Sequence, residues 1–314
     1  MGFFRKWSRL LFSIIGAFLF VGLDSSVAEK PGMVFQPDIN VGGYAQICYA
    51  DEENTNSEFA LKRARIKLSG AVAEKIDYEV LADFVRTDNL LYVGQIVYKH
   101  NKYLNLTLGQ FKTPFSYEYL TSSTKLDTID TAQVISELSS KYDIGVQVGG
   151  KISCIKYAFG VFNGEGRNNS DVNNHKDFAG RVVLTALKGL ELGVARYDGK
   201  NGVLPKNKIR TGGHLSYIYK HLCLKGEYIT AEDGFVNKKG WYGQITYKIT
   251  PNSQPLLKYD VYDPDDADKY DNITLGVNWF IDKSVKLQVN YLIRDEETND
   301  ISNNMFASQF QVTF

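Results

Sequence analysis

Ile273-Thr274-Leu275-Gly276-Val277-Asn278-Trp279-Phe280-Ile281, Val285-Lys286-Leu287-Gln288-Val289-Asn290-Tyr291-Leu292-Ile293 and Phe306-Ala307-Ser308-Gln309-Phe310-Gln311-Val312-Thr313-Phe314 stand almost back to back at the end of the chain. In each, large apolar side chains take nearly every second position, and the positions between are mostly polar or small, with Phe280 and Leu292 as exceptions. A period of two means a strand with one apolar and one polar face. Segments of about ten such residues, separated by turns, are the pattern of strands that cross a membrane in a closed barrel.

Working back from these three, the same texture places strands near 38–49, 58–70, 76–86, 90–99, 103–111, 143–151, 154–162, 177–187, 190–198, 208–219, 221–231, 239–249, 254–262, 270–281, 284–294 and 305–314. The connections alternate, short then mostly long and polar. That is what an even-stranded antiparallel barrel predicts, with tight turns at one rim and longer loops at the other. Closure also removes the sheet edges that lipid could not hydrogen-bond.

Composition agrees. The 314 residues are 44% hydrophobic, 13% aromatic and 23% charged, with 20 Tyr, 18 Phe, 27 Gly and only 7 Pro. This is enough apolar side chain to fold and a bias toward strands and turns. Mean hydropathy is −0.25, and only Leu10 to Leu23 approaches the length of a spanning helix, which excludes a helical transporter. Residues 1–28 read as a secretory signal peptide: Arg5, Lys6 and Arg9 precede the apolar run, and Ser26-Val27-Ala28 offers small side chains for cleavage. The remaining 29–314 reads as a single barrel domain. Its loss of Arg5, Lys6, Arg9 and Asp24 from 36 basic and 36 acidic side chains leaves a formal charge of −2, so no nucleic-acid partner is expected. Cys48, Cys154 and Cys223 are odd in number and far apart, and are expected to be free thiols.

The faces suggest a water-filled lumen. Around 58–70, alternation puts Lys62, Ala64, Ile66, Leu68 and Gly70 on one face and Phe59, Leu61, Arg63, Arg65 and Lys67 on the other. The next strand puts Asp77, Glu79 and Asp83 together. A basic row beside an acidic one suits a hydrated pore, where the two would set a transverse field. Tyr103, Tyr117, Tyr119, Tyr217, Tyr219, Trp241, Tyr242, Tyr247 and Trp279 are candidates for the aromatic girdles at the membrane interfaces. The longest connection runs from Lys112 to Tyr142. Loops of this length are usually functional, and this one is expected to fold inward, with a helical turn over Ala132 to Leu138 ended by Ser139 and Ser140. Its charges, Lys112, Lys125 and Lys141 against Glu118, Asp127, Asp130 and Glu137, nearly balance. An alternative is a structural or adhesive barrel whose bore is plugged by Tyr117, Tyr119, Ile129, Val134, Ile135 and Leu138.

Catalytic and cofactor chemistry has little to rest on. His214 and Ser216 share one strand face and resemble the His-x-Ser arrangement of outer-membrane phospholipase, but the alternation points them into the lumen, away from lipid. His100, His175 and His221 stand alone, without metal-ligand spacing, and no nucleotide-binding glycine motif occurs. The sequence therefore predicts no enzyme, no metal and no cofactor.

Several stretches resemble the phosphate-selective porin O and P family. They are Phe59-Ala60-Leu61-Lys62-Arg63-Ala64-Arg65-Ile66-Lys67-Leu68-Ser69-Gly70, Leu108-Gly109-Gln110-Phe111-Lys112-Thr113-Pro114-Phe115 with Leu120-Thr121-Ser122-Ser123, and Asp143-Ile144-Gly145-Val146-Gln147. Val161-Phe162-Asn163-Gly164 with Gly180-Arg181, Leu257-Lys258-Tyr259-Asp260-Val261-Tyr262-Asp263-Pro264-Asp265, Leu275-Gly276-Val277-Asn278-Trp279 and Phe314 follow in order. The resemblance implies a sixteen-stranded bacterial outer-membrane barrel in contact with lipid, commonly a homotrimer. It also implies a third loop narrowing a channel for small hydrophilic solutes, with anions such as phosphate as candidates, and a terminal aromatic read by the outer-membrane assembly machinery. Arg63, Arg65, Lys112 and Arg181 match its basic positions. Lys67 and Lys125 join them as candidate anion-attracting residues, with Asp77, Glu79 and Asp83 as the acidic wall. Two departures matter: Asp130-Thr131-Ala132 stands where the family pattern has Glu-Arg-Ser, and Tyr142 where it often has Arg, so two loop cations are missing.

Overall fold

The computed structural model describes residues 37–86, 89–139, 141–202, 206–298 and 302–314; the expected signal peptide lies outside them. Sixteen strands form one closed antiparallel barrel. In chain order they are β1 (Asn40–Glu52), β2 (Glu58–Ala73), β3 (Ile76–Asp83), β4 (Leu91–Asn101), β5 (Leu104–Lys112), β6 (Tyr142–Ile152), β7 (Ile155–Phe162) and β8 (Asp177–Leu187). They continue with β9 (Leu190–Asn201), β10 (Lys206–Tyr219), β11 (Leu222–Asp233), β12 (Val236–Tyr247), β13 (Ser253–Asp263), β14 (Tyr270–Asp282), β15 (Val285–Glu296) and β16 (Met305–Thr313). All sixteen strands read from the sequence are present.

Each strand pairs with its chain neighbours, and β1 with β16 closes the ring in the register Tyr44↔Thr313 to Glu52↔Met305. Gly43 and Phe314 finish this seam by exchanging backbone hydrogen bonds of 3.0 Å in both directions. A side chain on Gly43 would run into the Phe314 ring, so glycine is what lets the terminal ring lie over the strand.

The alternation sorts as a membrane barrel requires. Leu257, Ile273, Leu275, Trp279, Tyr291 and Phe310 are exposed on the outer wall, while Lys258, Asp260, Asn278, Gln288, Asn290 and Gln309 are buried inside. Inward amides link neighbouring strands: Gln254 donates to Thr246 (3.1 Å), Asn278 to Gln254 (3.2 Å), Gln288 to Asn278 (2.9 Å) and Gln309 to Gln288 (2.9 Å). Polar groups removed from bulk water are thereby satisfied across five strands.

The face assignment needs one correction in β2. The register slips between Gln46↔Arg63 and Ile47↔Leu61, leaving Lys62 as an extra residue. A bulge of this kind reverses the parity beyond it. Phe59 and Leu61 are therefore exposed outside, whereas Arg63, Arg65 and Lys67 turn into the lumen with Lys62. A second bulge adds Tyr92 to β4, opposite Leu81 and Ala82. The long-loop rim also has an exception, since β11 and β12 are joined only by Gly234 and Phe235, with Phe235 almost fully exposed at the tip. Of the expected girdle aromatics, Tyr103, Tyr217, Tyr219, Trp241, Tyr247 and Trp279 are on β-strands or turns as read. Tyr242 points inward and is buried, and Tyr117 and Tyr119 belong to the long loop.

Candidate functional site

The basic and acidic rows lie side by side, because β2 and β3 pair Arg65 with Asp83. Arg65 Nε is 2.8 Å from Asp83 Oδ2 and Lys67 Nζ 3.3 Å from Glu79 Oε2, while Asp77 is taken by Lys99 of β4. The expected field between the rows is corrected accordingly: charges paired on adjacent strands cancel locally instead of acting across a pore. Arg63 differs. It donates to Gln46 Oε1 at 2.7 Å and has no carboxylate partner among the described residues.

Residues 113–141 carry two short helices, α1 (Tyr117–Leu120) and α2 (Gln133–Leu138), with a 3-10 turn at Ser123–Lys125 between them. The helical turn expected over Ala132 to Leu138 is α2, with Ala132 and Ser139 as its caps; Ser140, also expected at its end, lies outside the described residues. Ser116, in a left-handed conformation at φ 67°, caps α1 by accepting from Tyr119 N. The Glu227 carboxylate of β11 completes the cap, accepting from Tyr117 N (2.9 Å), Glu118 N (3.2 Å) and Ser116 Oγ (3.2 Å). A carboxylate is favoured there because the first amides of a helix have no partner of their own.

The rest of the connection is tied to polar side chains of the inner wall. Glu118 pairs with the buried Lys258 of β13 at 2.8 Å, and Asp127 with Lys225 of β11 and, at 2.7 Å, with Gln244 of β12. Lys286 of β15 donates to the carbonyls of Thr124 (3.1 Å) and Leu126 (3.0 Å), and Lys62, the bulge residue, reaches Asp130. Beneath these contacts is an apolar seat: Phe115, Val134, Ile135 and Leu138 are fully buried against Phe111, Phe162, Tyr197, Ile229 and Tyr242. Burying four such side chains contributes on the order of 6–12 kcal/mol before ordering costs.

These contacts fall mainly on β7–β16, and on the opposite side a cavity of about 590 Å³ remains, walled by Tyr44, Arg65, Lys67, Glu79, Lys112 and Gln147. Three of the six expected cations thus share one space. Lys112 is fixed by its bonds to the carbonyls of Tyr119 and Thr121, the latter at 3.2 Å. Lys125 is exposed on its 3-10 turn. Arg181 is separate, lying under the loop with its Nη2 3.1 Å from His214 Nε2. Tyr117 stacks on His214 at 4.8 Å and bonds Ser216 Oγ at 3.1 Å, so His214 and Ser216 each engage other groups. Among the described residues no His, Cys, Asp and Glu cluster suited to a metal is present, and the three cysteines are free. Sequence reading missed Lys225, Lys258 and Glu227 as loop anchors, since alternation gives their face but not what they meet.

Comparison with known proteins places this architecture. A family profile described as phosphate-selective porin O and P matches residues 35–203 and 195–314. Among solved structures, the chain is similar to an anion-selective porin from Comamonas acidovorans (12% identity, 89% of this chain and 100% of that one, TM-score 0.69). It is also similar to the outer membrane channel DcaP of Acinetobacter baumannii (14%, 90% and 99%, 0.65) and to OmpT of Vibrio cholerae in a trimer form (12%, 89% and 100%, 0.64). No curated protein matches.

Proposed function

The chain belongs to the phosphate-selective porin O and P family, an outer-membrane porin for small solutes, and from that premise we propose that its channel runs beside the loop 113–141 and prefers anions. The observation that carries this reading is the charged cavity left open along β1–β6, where Arg65, Lys67 and Lys112 outnumber the carboxylates Glu79 and Asp83. Phe115, Val134, Ile135 and Leu138 anchor the loop in the apolar seat that includes Phe162, Tyr197, Ile229 and Tyr242 instead of filling the bore, which speaks against the plugged alternative. Net positive charge at a narrow, low-dielectric passage raises the local concentration of anions. We extend the same reading to assembly: a homotrimer, as the Vibrio cholerae structure is titled, delivered by the residue 1–28 leader and inserted through Phe314 by the assembly machinery into outer-membrane lipid. Passive diffusion needs no catalytic residue, metal or cofactor.

Proteoliposome swelling tests the channel directly. Vesicles carrying the folded protein should swell in small sugars and amino acids, and faster for an anionic solute than for a cationic one of equal size. Swelling no faster than protein-free vesicles would exclude diffusion through the barrel.

A further inference from the structure

On β9 the residues flanking Arg196, Ala195 and Tyr197, are buried inside, so Arg196 stands on the outer wall, and it is exposed there. Its register neighbour on β10 is Thr211, to whose hydroxyl it donates. Thr211 pairs in turn with Thr230 of β11, and Thr230 with Lys239 of β12. All four side chains are exposed. Two cations and two hydroxyls therefore form one row across four strands, about 14 Å from end to end at the usual strand spacing. The outer wall of β14–β16 carries Ile273, Ile293, Tyr291 and Phe306 toward the same rim instead. A cation on a lipid-facing wall is unfavourable except close to the interface, where an anion can join it. Arg196 has no carboxylate partner among the described residues, and Lys239 has an exposed pair with Asp263 at 3.4 Å, which holds it only weakly. Of the acids one row further out, Glu232 accepts from Asn207 at 3.2 Å and Asp198 lies across from Ile209.

Next to this row the wall is hollowed. Leu184, Leu192, Val194, Leu215, Tyr228 and Trp241 border an apolar recess of about 750 Å³, whose floor includes Gly213 and Gly226. Val194, Gly213, Tyr228 and Trp241 are each two residues from the member of the row on their own strand, so the recess begins where the polar row ends. On the other side the row is uncovered. β9–β10 and β11–β12 are joined by the two shortest connections of the long-loop rim, 202–205 and 234–235, and Phe235 stands almost fully exposed at the tip of the second. Long connections mark the extracellular rim. The row therefore lies toward the headgroups of the outer leaflet, and the recess toward its acyl chains.

We propose that Arg196, Thr211, Thr230 and Lys239, with the recess beside them, form a site on the outer wall for a phosphorylated glycolipid, the lipid A part of the lipopolysaccharide of the outer leaflet. The chemistry matches at each level. A phosphate at either end of its disaccharide suits the cations at either end of the row, and a guanidinium is well formed to bind one. The two threonine hydroxyls between them face the sugars, and an acyl chain fills the recess, where it covers apolar surface. A glycerophospholipid, with a single phosphate, would engage only one end of the row. The site faces away from the lumen and does not depend on the channel reading.

The test is binding of lipid A to the full-length protein folded in detergent, measured by native mass spectrometry, with phosphatidylglycerol as the competing lipid. Wild type should bind lipid A about tenfold or more tightly than phosphatidylglycerol. R196Q and K239Q should each raise the dissociation constant for lipid A about tenfold, the loss expected for one charge-assisted contact, and R196K should fall between. Lipid A lacking one phosphate should respond to only one of the two substitutions. Gly213→Leu fills the recess and should weaken binding with both cations in place; a Cβ there meets nothing nearer than the Gly193 carbonyl oxygen at 3.8 Å, so the barrel accepts it. K156Q, which alters a lysine paired with Glu191 in β9, should match wild type. Heat-modifiable mobility on a gel confirms that each variant is folded, and none of these readouts requires the channel to conduct. R196Q and K239Q both binding lipid A as wild type does, or a wild type that does not bind it, would overturn the site. Phosphatidylglycerol bound as tightly as lipid A would overturn the glycolipid as its occupant.

Discussion

Arg65 is asked to do two things, and they can be separated by mutation. It neutralises Asp83, whose side chain is only 2% exposed, and it contributes a cation to the lumen. Arg65→Gln strands a buried carboxylate, which costs about 3 kcal/mol, whereas R65Q/D83N removes both charges and should recover most of that. Urea unfolding from lipid vesicles measures the difference, and equal losses in the two variants would mean that the pair carries no stability. Among the described residues Lys112 has no carboxylate partner, so Lys112→Gln should lower the chloride-to-potassium permeability ratio about two- to threefold, read from the reversal potential. At this scale the sequence was a partial guide. The periodicity of β2 and β3 showed the cations and acids, and the resemblance pointed to Lys112. Neither could show Lys62 and Tyr92 as bulge residues, because an inserted residue leaves no trace in an alternation count. Trp241 and Tyr242 illustrate the simpler limit: neighbours on a strand face opposite ways, so only one of them could belong to a lipid-facing girdle.

Among the elements, the strands were legible and the loop was not. A strand needs only local alternation and a turn, and those signals lie within ten residues of one another. The placement of residues 113–141 depends on partners more than a hundred residues away, such as Glu118 with Lys258 and Tyr117 with Glu227. Only α2 and its ends were visible locally. The loop is held at both apolar and polar points, so loosening either should alter the current. Val134→Asp places a charge in the apolar seat and should unseat α2, giving larger conductance with frequent closures. Glu118→Gln leaves Lys258 buried without its counter-ion and should raise open-channel noise with a smaller change in mean conductance. Single-channel records on both variants check this, and unchanged traces would show that the loop does not border the conducting path.

For the whole molecule, closure is the property from which the rest follows. Sixteen strands leave a bore wide enough that one long connection can cover part of the wall and still leave a charged passage beside it. Closure depends on the seam, where Gly43 and Phe314 bond each other. Deleting Phe314 or introducing Gly43→Val should reduce the yield of heat-modifiable barrel severalfold in refolding from urea into detergent, where no assembly machinery is present. Even-numbered antiparallel closure was readable from the alternation of short and long connections, but the net sign of the passage was not, since a formal charge near zero says nothing about which charges face inward or pair. That sign is the central claim, and the reversal potential of a single wild-type channel under a KCl gradient tests it most directly. The account predicts steady conductance with a potential displaced toward the chloride equilibrium value. A displacement toward that of potassium, or no conductance from protein shown to be folded and inserted, would contradict it.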